Sequence, residues 1–381
     1  MDSIRFNCQK TYGVIKPLNG VNNGPIHTPK FSSVHQLSNF DAFKEARIPF
    51  SRTHDAALHM VYGGRHSVDV SAIFPDFQND PDLPCSYDFS TTDAYIELTV
   101  EAGSEPFYRL GEVFDLVSKP YRVFPPSDYQ KYAQICEHII RHYTEGWANG
   151  YHFKIRYWEI WNEADLGTDF FRSNSIWSWA GTKEEFFDFF EVVAKHLKDC
   201  FPKLKIGGPA AANNMGDPWT TDFIREMNIR NVPLDFFSWH IYCADPALLA
   251  KEAIEIRSLL DRNGYEKTES ILDEWNYMDD PTIGFTRSIE TITGMKGAAF
   301  SLACMCEGQR LPIDKMMYYC AGPYYYNGLF DFYTCRPLKG YYVFKRFSEL
   351  SSLKEVRAED RIQDVYSLCG IDEKGKIFWL T

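Results

Sequence analysis

The chain has 381 residues and a formal net charge of −12, with 40 Lys and Arg against 52 Asp and Glu. This length can bury a sizeable core, and the negative charge argues against nucleic acids and anionic membranes as partners. Ten cysteines without a CxxC pair predict reduced thiols, and the absence of an apolar leader or an 18-residue apolar run predicts a cytoplasmic protein, or a periplasmic or secreted one if a signal peptide was removed.

Predicted strands and helices alternate along most of the chain. In order they are strand 12–20, helix 34–47, strand 48–54, helix 92–102, strand 106–110, helix 127–144, strand 155–163, helix 182–197, strand 204–208, helix 218–227, strand 235–240, helix 246–262, strand 270–274, helix 287–304, strand 315–319 and helix 337–349. Eight such units without a Gly-rich phosphate fingerprint after the first strand favour a (β/α)8 TIM barrel over a doubly wound open sheet.

Two capping patterns support the helix predictions. Thr182-x-x-Glu185 precedes apolar residues at helical spacing, and Ser127-x-x-Gln130 opens the helix that runs to about residue 144. Residues 21–25 are predicted to form a loop. The connection over 55–90, rich in Gly, Pro, His and Asp, is too long for a simple turn and is expected to line a site.

The last residues differ in kind from the alternating region. Residues 364–371 and 376–380 predict a β-hairpin, which should pack on the barrel or pair with residues 4–8. We therefore expect a catalytic barrel over 12–350 and a small β accessory element from 1–11 and 351–381. A truncated piece of a longer chain would look the same.

Two glutamates stand at predicted strand ends. Glu163 ends the fourth strand and Glu274 the seventh, and a barrel brings all strand C-termini to one face. A single glutamate of this kind is more often a salt-bridge partner. A pair across a sugar-sized gap, each flanked by Trp and Asn, indicates glycoside hydrolysis.

Alternation along the strands predicts which neighbours face the mouth. Asn162 and Glu163 would point to opposite sides of a regular strand, so their joint action requires a bend or bulge there. Asp273 should face away from Glu274, and Glu159 should lie in the barrel interior. The candidate metal ligands are His54, Asp55, His59, His66 and Asp69. Their spacing matches no standard ligand motif, so we predict no metal site. We also predict no cofactor.

Three motifs carry a resemblance to a known family. Trp158-Glu-Ile-Trp-Asn-Glu163, Phe237-Ser-Trp-His-Ile-Tyr242 and Ile271-Leu-Asp-Glu-Trp-Asn276 resemble the fourth, sixth and seventh strand ends of clan A glycoside hydrolases. The sequence is most similar to glycoside hydrolase family 39, which includes retaining β-xylosidases and α-L-iduronidases, over about residues 12–350. It departs from the family at the chain ends, where little chain is available for the accessory β-sandwich.

The resemblance implies roles for particular residues. Glu163 would be the general acid/base and Glu274 the nucleophile, while Asn162 would bind the sugar 2-hydroxyl. Arg52 could keep Glu274 ionised and Tyr242 could orient it. The full set of expected substrate contacts is Arg52, His54, Asn162, His240, Tyr242 and Trp275.

We therefore predict a retaining, exo-acting, β-xylosidase-like glycosidase that acts on an oligosaccharide or glycoside, with an oligomer possible. One alternative keeps the barrel but changes the chemistry or the sugar, as in an inverting enzyme or an arabinosidase, galactosidase or glucosidase. The other is a non-catalytic carbohydrate-binding barrel, which would bind sugar without turning it over.

Overall fold

The structure is a computed structural model that describes residues 4–27, 37–54, 67–113, 122–166, 178–213, 216–279, 285–322, 326–359, 362 and 364–381. Eight parallel strands in sequence order close into a barrel, which confirms the predicted fold class. They are β1 (Gly20–Asn22), β2 (Phe50–Arg52), β3 (Glu105–Leu110), β4 (Tyr157–Ile160), β5 (Lys205–Ala211), β6 (Phe236–Cys243), β7 (Glu269–Tyr277) and β8 (Lys315–Tyr318).

Helices follow the strands and cover the outside of the barrel. Those in the described part of the chain are α1 (Phe40–Glu45), α2 (Val70–Ile73), α3 (Ser90–Glu101), α4 (Tyr129–Thr144), α5 (Lys183–Cys200), α6 (Pro218–Ile229), α7 (Pro246–Arg262), α8 (Phe285–Thr293), α9 (Met295–Gly308) and α10 (Lys339–Leu350). No helix among the described residues is both long and apolar enough to cross a membrane.

Helix α5 shows how the local sequence directs the packing. The Thr182 hydroxyl accepts a bond from the Glu185 backbone N–H, and the Glu185 carboxylate accepts one from the Thr182 N–H, which confirms the predicted capping box. The apolar positions of the helix are fully buried, namely Phe186, Phe189, Phe190, Val193 and Leu197. The face of α5 that was predicted to point inward is therefore the face that is buried in the core.

The first strand was predicted in the wrong place. β1 lies in the segment predicted as a loop, while the preceding residues pair with the accessory element through Val14 and Lys354. The apolar run at 12–20 resembled a barrel strand because local composition does not reveal which partner a strand will find. Ile15 N–H donates to the Leu353 carbonyl at 2.8 Å, which fixes this segment outside the barrel.

Two helix predictions also need correction. Asp128, rather than Ser127, caps α4, because its side chain accepts a bond from the Lys131 N–H at 3.0 Å. The helix predicted over 287–304 is two helices, α8 and α9, separated at Gly294, whose extended backbone interrupts the helical path. Residues 34–36 of the predicted first helix lie outside the described residues, and α1 itself is shorter than predicted.

A three-stranded antiparallel sheet follows α10. Its strands are β9 (Lys354–Val356), β10 (Leu368–Ile371) and β11 (Ile377–Leu380), in the order β11-β10-β9. The predicted hairpin is therefore present as β10 and β11, with Gly375 in the left-handed region at its turn. The N-terminal segment adds an isolated bridge between Phe6 and Ala358.

Candidate active site

A backbone bend at the end of β4 presents Glu163. The strand ends at Ile160, and both Trp161 and Glu163 have positive φ, at 72° and 51°. A Cβ on Gly111 would lie 2.8 Å from the Trp161 Cα, so the bend needs glycine at that neighbouring position. Asn162 and Glu163 consequently both turn into the barrel mouth, which confirms the departure from alternation that their joint action required.

A β-bulge in β7 presents Glu274. Trp239 pairs with Leu272, but His240 pairs with Glu274, so Asp273 is an extra residue in the ladder between β6 and β7. Both acidic side chains therefore face the barrel interior. The prediction that Asp273 faces away is wrong, because the bulge interrupts the alternation on which it depended.

The buried guanidinium of Arg52 lies at the centre of the site. Its Nε is 2.7 Å from Glu159 Oε2 and 3.0 Å from Asp273 Oδ2. Its Nη1 donates to Glu274 Oε1 at 2.7 Å, and its Nη2 donates to Asn162 Oδ1 at 2.6 Å. Burial alone would lower the pKa of Arg52, but the surrounding carboxylates raise it well above its usual value. One permanent positive charge thus organises side chains from the ends of two other strands, β4 and β7.

Glu274 is held in its ionised form. Its Oε1 lies 3.2 Å from His54 Nε2, and its Oε2 accepts a bond from the Tyr242 hydroxyl at 2.8 Å. Burial by itself raises the pKa of Glu274, but the charges of His240, His54 and Arg52 outweigh burial and lower it. The carboxylate is therefore available as a nucleophile at neutral pH.

Glu163 shares a histidine with Glu274. His240 Nδ1 lies 2.9 Å from Glu163 Oε1 and 3.7 Å from Glu274 Oε2, while His240 Nε2 is 3.6 Å from Asp273 Oδ1. Burial opposes a charged imidazole, but Glu274 and Asp273 together raise the pKa of His240 well above its usual value. The imidazolium can then donate from Nδ1 to the Oε1 atom of Glu163.

A second pair of carboxyls lies below the mouth. Burial raises the pKa of Glu159 to about 8. The nearby charge of Asp273 adds to this increase, while that of Arg52 opposes it. Burial raises the pKa of Asp273, but Arg52 and His240 outweigh it and lower the value. The opposite directions of the two shifts favour a proton on Glu159 over one on Asp273. Glu159 lies in the barrel interior, where the sequence had located it.

Trp275 does not lie where it was expected. It is only 1% exposed, and its ring packs 5.4 Å from Tyr318 and 6.4 Å from Phe300, between the barrel and the helices. The bulge at Asp273 gives Trp275 the outward direction. The predicted contact between Trp275 and substrate is therefore corrected to a role in core packing.

Other aromatic candidates divide between core and mouth. Trp161 and Trp239 are both buried. The Trp161 ring packs edge-on against Trp179. The Nε1–H of Trp239 donates to the Ser270 hydroxyl. Tyr326 remains near the site, with its ring 5.9 Å from Tyr242. The other aromatic and loop candidates lie outside the described residues, namely Tyr324, Tyr325, Asp55, His59 and His66.

The sequence reading missed two contributors to the site. Asn22 accepts a bond from Arg52 Nη1 at 3.0 Å and donates to the Asp273 carbonyl at 2.6 Å. Tyr319 packs its ring edge-on to His54 at 5.5 Å. Placing the first strand correctly would have put Asn22 at a strand end, the same signal that identified the other site residues.

Two groups in the described part of the chain bring three possible metal ligands within 4.8 Å of one another. One is the Glu163, His240 and Glu274 group at the mouth. The other joins Glu137 of α4 to His196 and Cys200 of α5. At the mouth, the Arg52 guanidinium already supplies a positive charge to Glu274, through Nη1 and Oε1 at 2.7 Å.

The separation of the two glutamates is chemically informative. One carboxylate oxygen of Glu163 lies within 4.8 Å of one of Glu274. Retaining glycosidases hold their carboxyl groups about 5–5.5 Å apart, whereas inverting ones leave about 6.5–9.5 Å for a water molecule. The spacing at this mouth fits direct attack by one carboxylate.

Comparison with known proteins agrees with this geometry. The family model described as "Glycosyl hydrolases family 39" matches residues 54–275, which is more than half of the chain and includes both glutamates. The chain belongs to glycosyl hydrolase family 39. The resemblance read from the strand-end motifs is thereby confirmed.

Curated relatives of this family 39 chain include two β-xylosidases. The one from Caldicellulosiruptor saccharolyticus is 31% identical over 210 residues, covering 52% of this chain and 40% of the relative. The one from Geobacillus stearothermophilus is 30% identical over 184 residues, covering 46% of this chain and 34% of the relative. The chain thus spans less than half the length of either protein.

A solved structure extends the likeness of this family 39 chain to nearly its whole length. The glucosidase from Croceicoccus marinus superposes with a TM-score of 0.78 at 25% identity, covering 98% of this chain and 76% of the glucosidase. The similarity includes residues beyond the span of the family model. The curated relatives are named β-xylosidases and the solved structure is named a glucosidase, so these names do not agree on one sugar.

Proposed function

We propose that the chain is a retaining glycosidase that releases a β-xylosyl unit from an oligosaccharide or glycoside by double displacement. The observation that carries the proposal is the short separation of Glu163 and Glu274, whose nearest oxygens lie within 4.8 Å. The β-xylosidase relatives support xylose as the sugar. The structural similarity to a glucosidase favours β-glucosides as the second candidate.

In the first step Glu274 attacks the anomeric carbon while Glu163 gives its proton to the leaving oxygen. This forms a glycosyl-enzyme ester at Glu274. In the second step Glu163, now a carboxylate, removes a proton from water, which attacks the same carbon and frees Glu274. Each glutamate ends the cycle in the protonation state in which it began.

The surrounding residues support these roles. Arg52, His54 and Tyr242 each contact the Glu274 carboxylate, which stabilises it before attack and after release. Asn162 uses its Oδ1 to accept from Arg52, while its buried Nδ2 has no hydrogen-bond partner in the described part of the chain. That N–H group is therefore available to donate to a sugar hydroxyl, as the resemblance implied for the 2-hydroxyl.

A panel of nitrophenyl glycosides tests the proposal. We expect wild-type enzyme to hydrolyse the β-xyloside best, with the β-glucoside next, and NMR of the first product to show a retained anomer. Glu274→Ala should lose at least about 10⁴-fold in kcat. Glu349→Ala removes an exposed carboxylate on α10 and should leave activity unchanged.

Different results would separate the alternatives. An inverted first product would reject double displacement. Sugar binding that persists without turnover on any glycoside would favour a non-catalytic barrel. Equal hydrolysis by Glu274→Ala would show that Glu274 is not the nucleophile.

A further inference from the structure

A cavity of about 460 Å³ opens beside the two glutamates, at the ends of β5 and β6. Its walls include Asn213 and Asp217 from the β5–α6 loop, His240 and Tyr242 from β6, and Glu252 from α7. The volume falls within the usual range for small-molecule sites, about 300–1,000 Å³. Two of its wall residues, His240 and Tyr242, contact the glutamates directly.

The cavity lies on the side of the site where the leaving group departs. The backbone N–H groups of Ala212 and Asn213 donate to Asp165 at 3.0 and 2.5 Å, which joins the cavity wall to the loop carrying Glu163. Since Glu163 protonates the leaving oxygen, the leaving group must lie next to this loop. The groups that hold Glu274 from the opposite side are Arg52, at the end of β2, and His54, two residues after it.

The cavity wall carries negative charge. Glu252 is 2% exposed, and neither of its carboxylate oxygens has a hydrogen-bond partner among the described residues. Asp217 adds a second carboxylate, which also caps α6 by accepting from the Trp219 N–H at 2.6 Å. No Lys or Arg occurs among the described residues of the wall.

The remaining charges do not reverse this balance. His240 is the only described wall residue that can be cationic, and it already lies near the carboxylates of Glu163, Glu274 and Asp273. Burial, reinforced by Glu255, raises the pKa of Glu252 to about 7, so a neighbouring anion would be repelled by the ionised fraction. An uncharged hydroxylated group meets no such penalty, and its hydroxyls could donate to these unpartnered oxygens.

We propose that this cavity is the subsite for the leaving-group sugar and that Glu252 and Asp217 make it select an uncharged sugar over a uronate. This inference rests on the proposed glycosidase function and names the class of substrate for that site. Selection acts through charge, since a carboxylate on the leaving sugar would lie within a few ångströms of the wall carboxylates in a medium of low dielectric constant.

The test compares two disaccharides that share the glycone identified by the aryl panel. One carries a neutral sugar at the reducing end and the other carries the corresponding uronic acid. At pH 7 we expect wild-type kcat/KM to be about tenfold or more lower for the uronate. Glu252→Gln and Asp217→Asn should each narrow this gap at least about threefold, by lowering KM for the uronate.

Controls make the result specific. Asn keeps the N-cap of α6, so Asp217→Asn should preserve the fold. Glu266→Gln changes an exposed carboxylate in the α7–β7 loop and should leave the gap as in wild type.

An unchanged gap in both cavity variants would overturn the selectivity. A gap that narrows through kcat, with KM for the uronate unchanged, would overturn the assignment of the cavity to binding of the leaving sugar. Failure of wild type on every aryl glycoside would overturn the proposed function and the subsite together.

Discussion

The two ends of the barrel are built from the same strands but hold opposite kinds of side chain. At the N-terminal end, the interior is filled by an aromatic and aliphatic plug comprising Phe50, Phe107, Tyr157, Phe236, Ile271 and Met317. At the C-terminal end, the interior holds Arg52, His240 and four carboxyl groups. On β2 and β4 the change takes only two residues, from Phe50 to Arg52 and from Tyr157 to Glu159.

The difference separates stability from chemistry. The plug packs by ring contacts such as Phe107–Phe236 at 5.2 Å and Phe107–Tyr157 at 5.4 Å, and buries no unpaired charge. The mouth buries charges whose mutual attraction at best compensates for lost hydration. Such an arrangement is poor for stability, so its value lies in holding the Glu274 carboxylate ionised beside Glu163.

The largest expected effect is at the residue that unites the mouth. Arg52→Met should lower the free energy of unfolding by about 3–5 kcal/mol, because it leaves buried carboxylates without their cation. It should also reduce kcat by at least about 100-fold, since the pKa of Glu274 rises when that charge is lost. Chemical denaturation and kinetics measure the two effects. A stable, fully active Arg52→Met enzyme would contradict the role given to the guanidinium.

The plug should behave in the opposite way. Phe107→Ala is expected to cost about 3–5 kcal/mol of unfolding free energy by leaving a cavity, while the folded enzyme keeps kcat within about threefold of wild type. Urea denaturation and kinetics well below the melting temperature test this. Tyr333→Ala, at a side chain that is 79% exposed, is the matched control and should change stability by less than about 0.5 kcal/mol. A large loss of kcat in Phe107→Ala would contradict the proposal that the N-terminal end of the barrel serves stability and the C-terminal end serves catalysis.

A smaller effect should follow from Asp273, which faces His240 without touching the reacting atoms. Three carboxylates lie near His240, those of Glu163, Glu274 and Asp273. In Asp273→Asn the pKa of His240 should fall, because the negative charge of Asp273 is lost. Since the raised pKa keeps the imidazolium charged to higher pH, the alkaline limb of the kcat/KM profile should move to lower pH, by about one unit. Asp273→Glu should restore it in part. An unshifted profile would reduce Asp273 to a packing residue.

The same raised pKa has a consequence for stability. Charged His240 stabilises the fold fully below its unfolded pKa of about 6.5, and this contribution is lost as pH rises through the folded value. Glu274 works in the other direction, since its lowered pKa contributes stability above about 4.5 that is lost as pH falls through the folded value. The difference in unfolding free energy between wild type and Asp273→Asn should therefore become smaller as the pH rises from 5 to 9, because the part contributed by charged His240 is lost.

The smallest expected effect lies outside both ends. Thr182→Ala removes the cap of α5 and should cost about 1 kcal/mol of unfolding free energy without altering kcat. Thr182→Ser keeps the hydroxyl and serves as its control. A change in kcat would indicate that the start of this helix also holds the catalytic geometry.

Much of this arrangement could be predicted from the sequence. The alternation of strand and helix patterns indicated the barrel, and the polar residues at strand ends indicated Glu163, Glu274, Arg52, His54 and His240. These signals are local, because a strand's composition and the residue at which it ends are visible without knowing its partners. The strand-end motifs added the family and the separate roles that we propose for the two glutamates.

Other features became visible only in the tertiary structure. Asp273 faces Arg52, and Trp275 faces the helices, because β6 and β7 pair with one extra residue between them. Likewise, Asn22 reaches the site because β1 pairs with β2 and β8, while the more strand-like residues before it pair with the accessory sheet. The sequence by itself determined the barrel and the two glutamates proposed as its catalytic pair, whereas register between distant strands decided which neighbours face them, since a shift of one residue reverses the direction of every side chain that follows.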